Sequence, residues 1–429
     1  MDTDKKLFSR TFLSLRIRNF RLYFIGQAIS LCGTWMQTIG QSWLVLKLTN
    51  SGTQLGFVLA LQFLPMLVLG PWGGVIADRF NKRKILYFTQ SISGVLALIL
   101  GILVATATVK IWMVYFLAFG LGLVNTIDNP ARQTFVPEMV GKDNLPNAIG
   151  LFATEISLAR AVGPAIGGGI IVTLGLAPCF FINAISYIAV LVILFMMNKN
   201  ELHFTPLASK TKGQLRKGLR YVRSSPILKY TLLMMAIIGT LSFELPVSLP
   251  LFAQFTFHGN AGSYAILVVA TGLGSALGGL MSASRRKIAP HMLVSSALFF
   301  GLTFLIAAFM PSLALAFVFL FLSGIFSINF ISLGNTTLQS ESVPEMRGRV
   351  MALWAMAFLG STAVGGPIIG WIGEYAGPRW GIATGGLAAI IAAGLGAMTL
   401  LKKDKLEAIP TDVEITSSEA SAEADIKIR

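Results

Sequence analysis

Crossing the hydrocarbon core of a bilayer takes roughly 20 mostly apolar helical residues. This chain offers twelve such stretches, at about 20–46, 53–77, 85–106, 111–134, 145–174, 177–197, 227–254, 261–283, 290–309, 312–337, 350–375 and 379–401. A chain built this way has lipid as its main solvent. Its charged residues make up 12% of the total, about half the ~25% usual for soluble domains. The 43 glycines fit the same reading, because small residues let membrane helices approach closely. The expected fold is an all-α membrane protein of twelve transmembrane helices in two pseudo-symmetric six-helix bundles.

The net charge of +15 could suggest a nucleic-acid partner. The charges sit almost wholly in short gaps between apolar runs, so no nucleic-acid partner is expected and the lipid bilayer is. The basic start followed by an apolar run resembles a signal peptide, but the run exceeds the usual apolar region of one. It reads as a retained first helix. The two cysteines, Cys32 and Cys179, fall mid-membrane and near an outer helix end. That placement argues against a disulfide, and no metal-ligand spacing exists. Packing is the expected role of both.

Lys and Arg placement sets the orientation. Of the 34, 29 lie in alternate gaps and the terminal regions, while Lys47, Lys110 and Arg379 lie on the opposite side and Arg132 and Arg160 within apolar segments. This bias predicts an even number of spans with both termini in the cytoplasm of a multi-pass inner-membrane protein. The predicted organisation is a basic N-terminus (1–19), a first bundle (20–197), a basic linker (198–226), a second bundle (227–401) and a polar, disordered tail (402–429). The halves echo each other. Val136-Pro137-Glu138-Met139 follows segment four and Val343-Pro344-Glu345-Met346 follows segment ten. Ala161-Val162-Gly163 in segment five matches Ala363-Val364-Gly365 in segment eleven. Parallel repeats of this kind are a transporter architecture with the substrate site between the halves.

Polar groups inside apolar segments mark candidate sites. Segment one carries Gln27, Ser30, Thr34, Gln37 and Gln41 on one helix face. Such a stripe must face protein or water. It can bond neighbouring helices or wall a central cavity, and we expect the cavity. Three carboxylates are intramembrane: Asp128, Glu155 and Glu244. Asp128 shares a face with Asn125 and Arg132, which predicts a structural ion pair. Glu155 lies ~15 Å deep by helical rise and shares no face with Arg160, so it can carry a proton. Glu244 precedes Pro246 and Pro250, with Thr240 and Ser248 on its face. Prolines free backbone carbonyls and soften a helix, as a gating segment requires.

The turn after segment two reads Gly74-Val-Ile-Ala-Asp78-Arg79-Phe-Asn81-Lys82-Arg83-Lys84. It resembles motif A of the major facilitator superfamily, G-x-x-x-D-[RK]-x-G-[RK]-[RK], with Asn81 replacing the second Gly. Asn tolerates left-handed backbone better than most residues, so the turn is expected to survive. The resemblance implies a cytoplasmic gating cluster of Gly74, Asp78, Arg79 and Arg83 that also uses a carboxylate on helix four, here Asp128. Segment five, Ala159-Arg-Ala-Val-Gly163-Pro164-Ala-Ile-Gly167-Gly168, looks like the antiporter motif C, with Ala159 in place of its first Gly. Motif C implies close helix contact and a bend at Pro164. Residues 18–27 and 128–133 look like the bacterial exporter branch that includes the enterobactin exporter and macrolide or multidrug efflux pumps. In pattern the resemblance covers roughly 1–400. Ser284-Arg285-Arg286-Lys287 is a degenerate second copy of motif A without its Asp.

The implied function is proton-coupled antiport, the efflux of a small drug- or siderophore-like molecule by a monomer working through alternating access. Candidate proton or substrate residues are Gln37, Gln41, Glu155, Glu244, Ser332 and Asn335. No enzymatic activity, cofactor or metal is expected. A primary pump would need a G-x-x-x-x-G-K-[ST] loop, which the sequence lacks. An enzyme would need a cluster of His, Cys or acids, but His203, His258 and His291 are far apart. The 6+6 duplication argues against a channel. An importer differs only in direction. Single cysteines introduced in the linker and at Asn81 should label from the same side of the membrane; labelling from opposite sides would break the predicted topology.

Overall fold

A computed structural model describes residues 12–203, 214–283 and 289–401. All regular structure among the described residues is helical. The first half comprises α1 (Arg18–Thr49), α2 (Gly52–Arg79), α3 (Lys82–Ala105), α4 (Ile111–Gly141), α5 (Asp143–Leu174) and α6 (Ala177–Met196). A short amphipathic helix, Gln214–Ser224, leads to the second half. That half comprises α7 (Pro226–Leu241, resuming at Leu245–Leu251), α8 (Ala261–Ala283), α9 (Pro290–Ala308), α10 (Leu313–Ser340), α11 (Pro344–Ala355, resuming at Thr362–Tyr375) and α12 (Pro378–Gly396). Eleven of the twelve are long and apolar enough to span a membrane. The exception, α1, is 32 residues long but carries the polar stripe, which lowers its hydropathy. The N-terminal 11 residues, linker residues 204–213, the degenerate motif A copy and the 402–429 tail lie outside the described residues.

Local chemistry explains the breaks. Gly141, at φ 69°, separates α4 from α5, a left-handed backbone that glycine adopts without steric cost. Asn50, at φ 50°, ends α1 with its N–H bonded to the Leu46 carbonyl. Asn81 corrects the expectation drawn from motif A. Its φ is −61°, so no left-handed turn is needed, and its side chain caps α3 by accepting from the Lys84 N–H at 3.2 Å. The break in α7 falls at Ser242–Glu244, just before Pro246. Proline lacks an N–H and crowds the carbonyl four residues back. Helix α5 runs through Pro164 with helical dihedrals.

The sequence repeats occupy equivalent packing positions. A Cβ at Gly163 on α5 would meet the Cys32 carbonyl of α1 at 2.7 Å. One at Gly365 on α11 would collide with the Thr240 carbonyl of α7. Helix five therefore rests on helix one as helix eleven rests on helix seven.

The halves join at the end away from the linker. There Gly52 and Gly56 of α2 cross Gly370 and Gly366 of α11 backbone to backbone, leaving no room for a Cβ. The two spacings of four are a membrane helix-crossing pattern. Gly168 of α5 likewise abuts Ala265 of α8. Glu374 clasps this end: one carboxylate oxygen accepts from the Ser51 hydroxyl at 2.6 Å and the Thr53 N–H at 2.8 Å. Gln254 also donates to the Asn50 side chain at 3.3 Å. Backbone contacts and these bonds hold the two halves together at the end away from the linker.

Removing the clasp with Glu374→Ala should favour separation of the closed end by about 1 kcal/mol, the usual worth of a helix cap. Spin labels at the exposed positions Leu48 and Tyr375, with Cys32 and Cys179 replaced, should then show more long distances. An unchanged distribution would mean the carboxylate does not hold this end shut.

Candidate functional site

Between the halves lies a cavity of about 190 Å³. Trp35 and Thr38 of α1 and Arg160 of α5 face it from the first half. Phe243 and Glu244 of α7, Tyr264 of α8, Ser323 and Ser327 of α10 and Phe358 of α11 face it from the second. Aromatic rings dominate its wall, and each half contributes one ionisable group of opposite sign.

Glu244 sits at the break in α7, where its backbone carbonyl accepts from the N–H groups of Val247 and Ser248. Its side chain is 1% exposed, and neither carboxylate oxygen has a hydrogen-bond partner of good geometry. Thr362 of α11 lines the cavity beside it. Arg160 lies opposite. Its guanidinium stacks over the Trp35 ring, 5.1 Å from the centroid, and its Nε is unpartnered. The two do not form an ion pair. Two unpaired ionisable groups of opposite sign are costly to keep charged in a low-dielectric cavity unless a proton, water or ligand completes them. Sequence reasoning missed Arg160 as a cavity group. Its place within the motif C segment, one residue after Ala159, was the available signal.

The polar stripe of α1 does not wall this cavity, which corrects the expectation for Gln37 and Gln41. Gln37 accepts from the Asn183 amide of α6 at 2.6 Å. The Gln41 amide donates to Gln62 of α2 at 3.3 Å. Gln27 accepts from Arg132 of α4. The three Gln side chains of the stripe thus bond three neighbours within their own half, Thr34 bonds the Ser30 carbonyl of α1, and the adjacent face bearing Trp35 and Thr38 meets the cavity. Ser332 and Asn335 are not in the wall of this cavity either. Ser332 accepts from Ser282 of α8 at 2.7 Å, and Asn335 accepts from Gln339 on its own helix. Helix α10 reaches the cavity further from the linker, through Ser323 and Ser327.

A second polar cluster is buried inside the first half. Asp128 pairs with Arg132 and accepts from Thr89 at 2.5 Å and Gln90 at 2.9 Å. Glu155, 4% exposed, has both oxygens unpartnered and lies within electrostatic reach of Arg132. It belongs to this cluster and not to the central cavity. The motif A turn uses a different acid from the one expected: Lys82 pairs with Glu138, at the end of α4, at 2.7 Å. Asp128 bonds α3 about two turns deeper, at Thr89 and Gln90. Arg79 is exposed, and Arg83 donates to the Phe195 carbonyl of α6 at 3.2 Å. The side chain of Asp78 lies outside the described residues. At Gly74 the fold leaves open space, and neighbouring Gly73 makes the close contact, with Thr126 of α4. The motif C residues line two contacts. Gly163 and Gly167 admit α1 at Trp35 and Met36, and Gly168 admits α8 across the halves. Ala159 and Pro164 are buried between them.

Residues 9–425 match the family described as transmembrane secretion effector. The chain is 26% identical over 349 residues to the staphyloferrin A transporter of Staphylococcus aureus (strain NCTC 8325 / PS 47), covering 78% of this chain and 85% of that one. It is 24% identical over 401 residues to the enterobactin exporter EntS of Escherichia coli O1:K1 / APEC, covering 93% and 96%. Among solved structures, it resembles a bacterial homologue of the human lysosomal transporter Spinster in an inward-facing, unoccupied conformation. The TM-score is 0.71 at 15% identity, over 90% of this chain and 97% of that one. The nucleoside transporter NupG gives a TM-score of 0.66 at 14% identity, over 90% and 98%.

Since Gln37 serves α6 and not the cavity, Asn183→Ala should lower thermal stability by roughly 1 kcal/mol while leaving the apparent KM for transported substrate unchanged. A shifted KM with unaltered melting would return Gln37 to the transport path.

Proposed function

Because the chain belongs to the transmembrane secretion effector family, and so is a multi-pass membrane transporter of the major facilitator type, we propose that it exports a small amphipathic molecule by proton-coupled alternating access. The observation that carries this reading is Glu244, a carboxyl with no cation bonded to it, buried beside Thr362 in the wall of the central cavity at the break in α7. In the positive-inside orientation, the linker end faces the cytoplasm and the glycine-lined, clasped end faces outward. A solute then enters from the cytoplasm between the two bundles.

Arg160 and the aromatic wall give that solute two points of attachment. A planar or acidic group meets the guanidinium and the Trp35 ring, and apolar bulk meets the rings of Phe243, Tyr264 and Phe358. Relatives named for staphyloferrin A and enterobactin transport support a siderophore-like cargo, and the aromatic lining also suits drug-like molecules. The proton acts at Glu244. Held neutral, the carboxyl tolerates the closed, water-poor cavity; ionised, it requires water or a cation. Protonation from outside and release inside would therefore favour opposite ends of the cycle. The rigid bundles move about the central contact, α7 giving way at its break. Glu155 is a second proton candidate, acting on Arg132 within the first half.

The test is transport into everted vesicles with an imposed pH gradient. Glu244→Gln should reduce gradient-driven accumulation at least about tenfold and leave protein abundance and melting temperature near wild type. Accumulation that survives both the substitution and collapse of the gradient would overturn proton coupling at this residue.

A further inference from the structure

We propose that a groove between the linker-side ends of α3 and α6 binds the phosphate headgroup of an anionic phospholipid. The groove encloses about 730 Å³ and is separate from the central cavity. Its floor holds Arg83, which is 7% exposed. One terminal nitrogen of Arg83 donates to the Phe195 carbonyl at 3.2 Å, while Nε and Nη1 are buried without partners. Nη2 serves the Phe195 carbonyl, so Arg83 offers a phosphate single N–H donors and an uncompensated positive charge.

The surroundings specify charge. Lys84 and Lys199 line the rim and are exposed. Neither makes an ion pair among the described residues, whereas neighbouring Lys82 is neutralised by Glu138. Glu201, two residues beyond Lys199, is turned to the Asn198 amide at 2.8 Å. The turn that carries Lys199 is held to α1 by a reciprocal pair of bonds between Asn19 and Asn198, at 2.9 and 3.0 Å. The cationic rim is thus built on fixed backbone. Arg83 has further support from the Tyr87 ring, 5.8 Å away.

The apolar side of the groove selects the lipid form of phosphate over a soluble one. Tyr87, Phe195 and Met197 form its wall. Phe195 is 79% exposed, and Phe88, on the next position of α3, is 65% exposed. A free anion has no use for that surface, but acyl chains lying along the membrane face of α3 and α6 do. Basic pockets between helices near the cytoplasmic headgroup layer are where anionic headgroups bind. A lipid seated here would supply the counter-charge that Arg83 lacks and would bridge the motif A turn to the start of the linker.

The experiment uses the full chain, delipidated in neutral detergent. Phosphatidylglycerol, phosphatidylcholine, sn-glycerol 1-phosphate and inorganic phosphate are titrated separately, with retained lipid read by native mass spectrometry and stability by melting temperature. Phosphatidylglycerol should be retained and raise the melting temperature; the other three should do so far less. Lys84→Gln and Lys199→Gln, both at exposed positions, should each weaken phosphatidylglycerol binding about fivefold, the equivalent of ~1 kcal/mol per surface cation. Arg83→Gln should weaken it further. Equal retention of phosphatidylcholine, equal stabilisation by the soluble phosphates, or unchanged binding in both lysine variants would each overturn the proposal.

Discussion

The absence of water from the bilayer core governs this structure. A polar group placed there must find a partner in the protein, carry a proton or border a water-filled space. The first half meets that demand with a dense internal network. Asp128, Arg132, Gln27, Thr89 and Gln90 are joined by bonds among α1, α3 and α4, while Gln37 and Gln41 reach α6 and α2. The network does not serve every group: Glu155, within reach of Arg132, keeps both oxygens unpartnered. Among the described residues the second half buries fewer charges, and its deep acid, Glu244, stands at a helix break beside Thr362 with no cation bonded to it. Each half thus buries one carboxyl outside any ion pair.

The two halves share a packing plan but not a chemistry. Matching Ala-Val-Gly triplets seat helix five on helix one and helix eleven on helix seven. The matching Val-Pro-Glu-Met segments have diverged: Glu138 is buried in an ion pair with Lys82, whereas Glu345 is exposed. Duplication therefore preserved what backbone approach demands and released the side chains that did not take part in it.

Much of this was legible in the chain alone, because bilayer thickness sets the length of each apolar span and the positive-inside bias sets the charge of the loops between them. The helices, the deep placement of Glu155 and Glu244, and the Asp128–Arg132 pairing follow from spacing along one helix. The identity of partners on other helices does not. The stripe on α1 was expected to face a cavity because a polar face must face something, but one helix cannot tell a neighbour's Asn183 or Gln62 from water. Arg160 escaped for the same reason, since its significance arises only when Glu244 faces it from the other half. Asn81 shows a subtler failure. The motif implied a backbone conformation, and the residue solved the turn by a side-chain cap instead. The Gly52/Gly56 and Gly366/Gly370 spacings were visible, but glycine is so common here that nothing singled them out until the helices were seen to cross.

That crossing has a kinetic consequence. Where two helices mesh through bulky side chains, parting them requires rotamers to unlock and leaves apolar knobs facing solvent. Here the seam between α2 and α11 brings main chain against main chain at four glycines, flanked by the packed side chains of Leu55, Val58, Leu59 and Ile369. At the glycines there is no knob to withdraw, so any work of parting falls on those flanking side chains and on the Glu374 clasp.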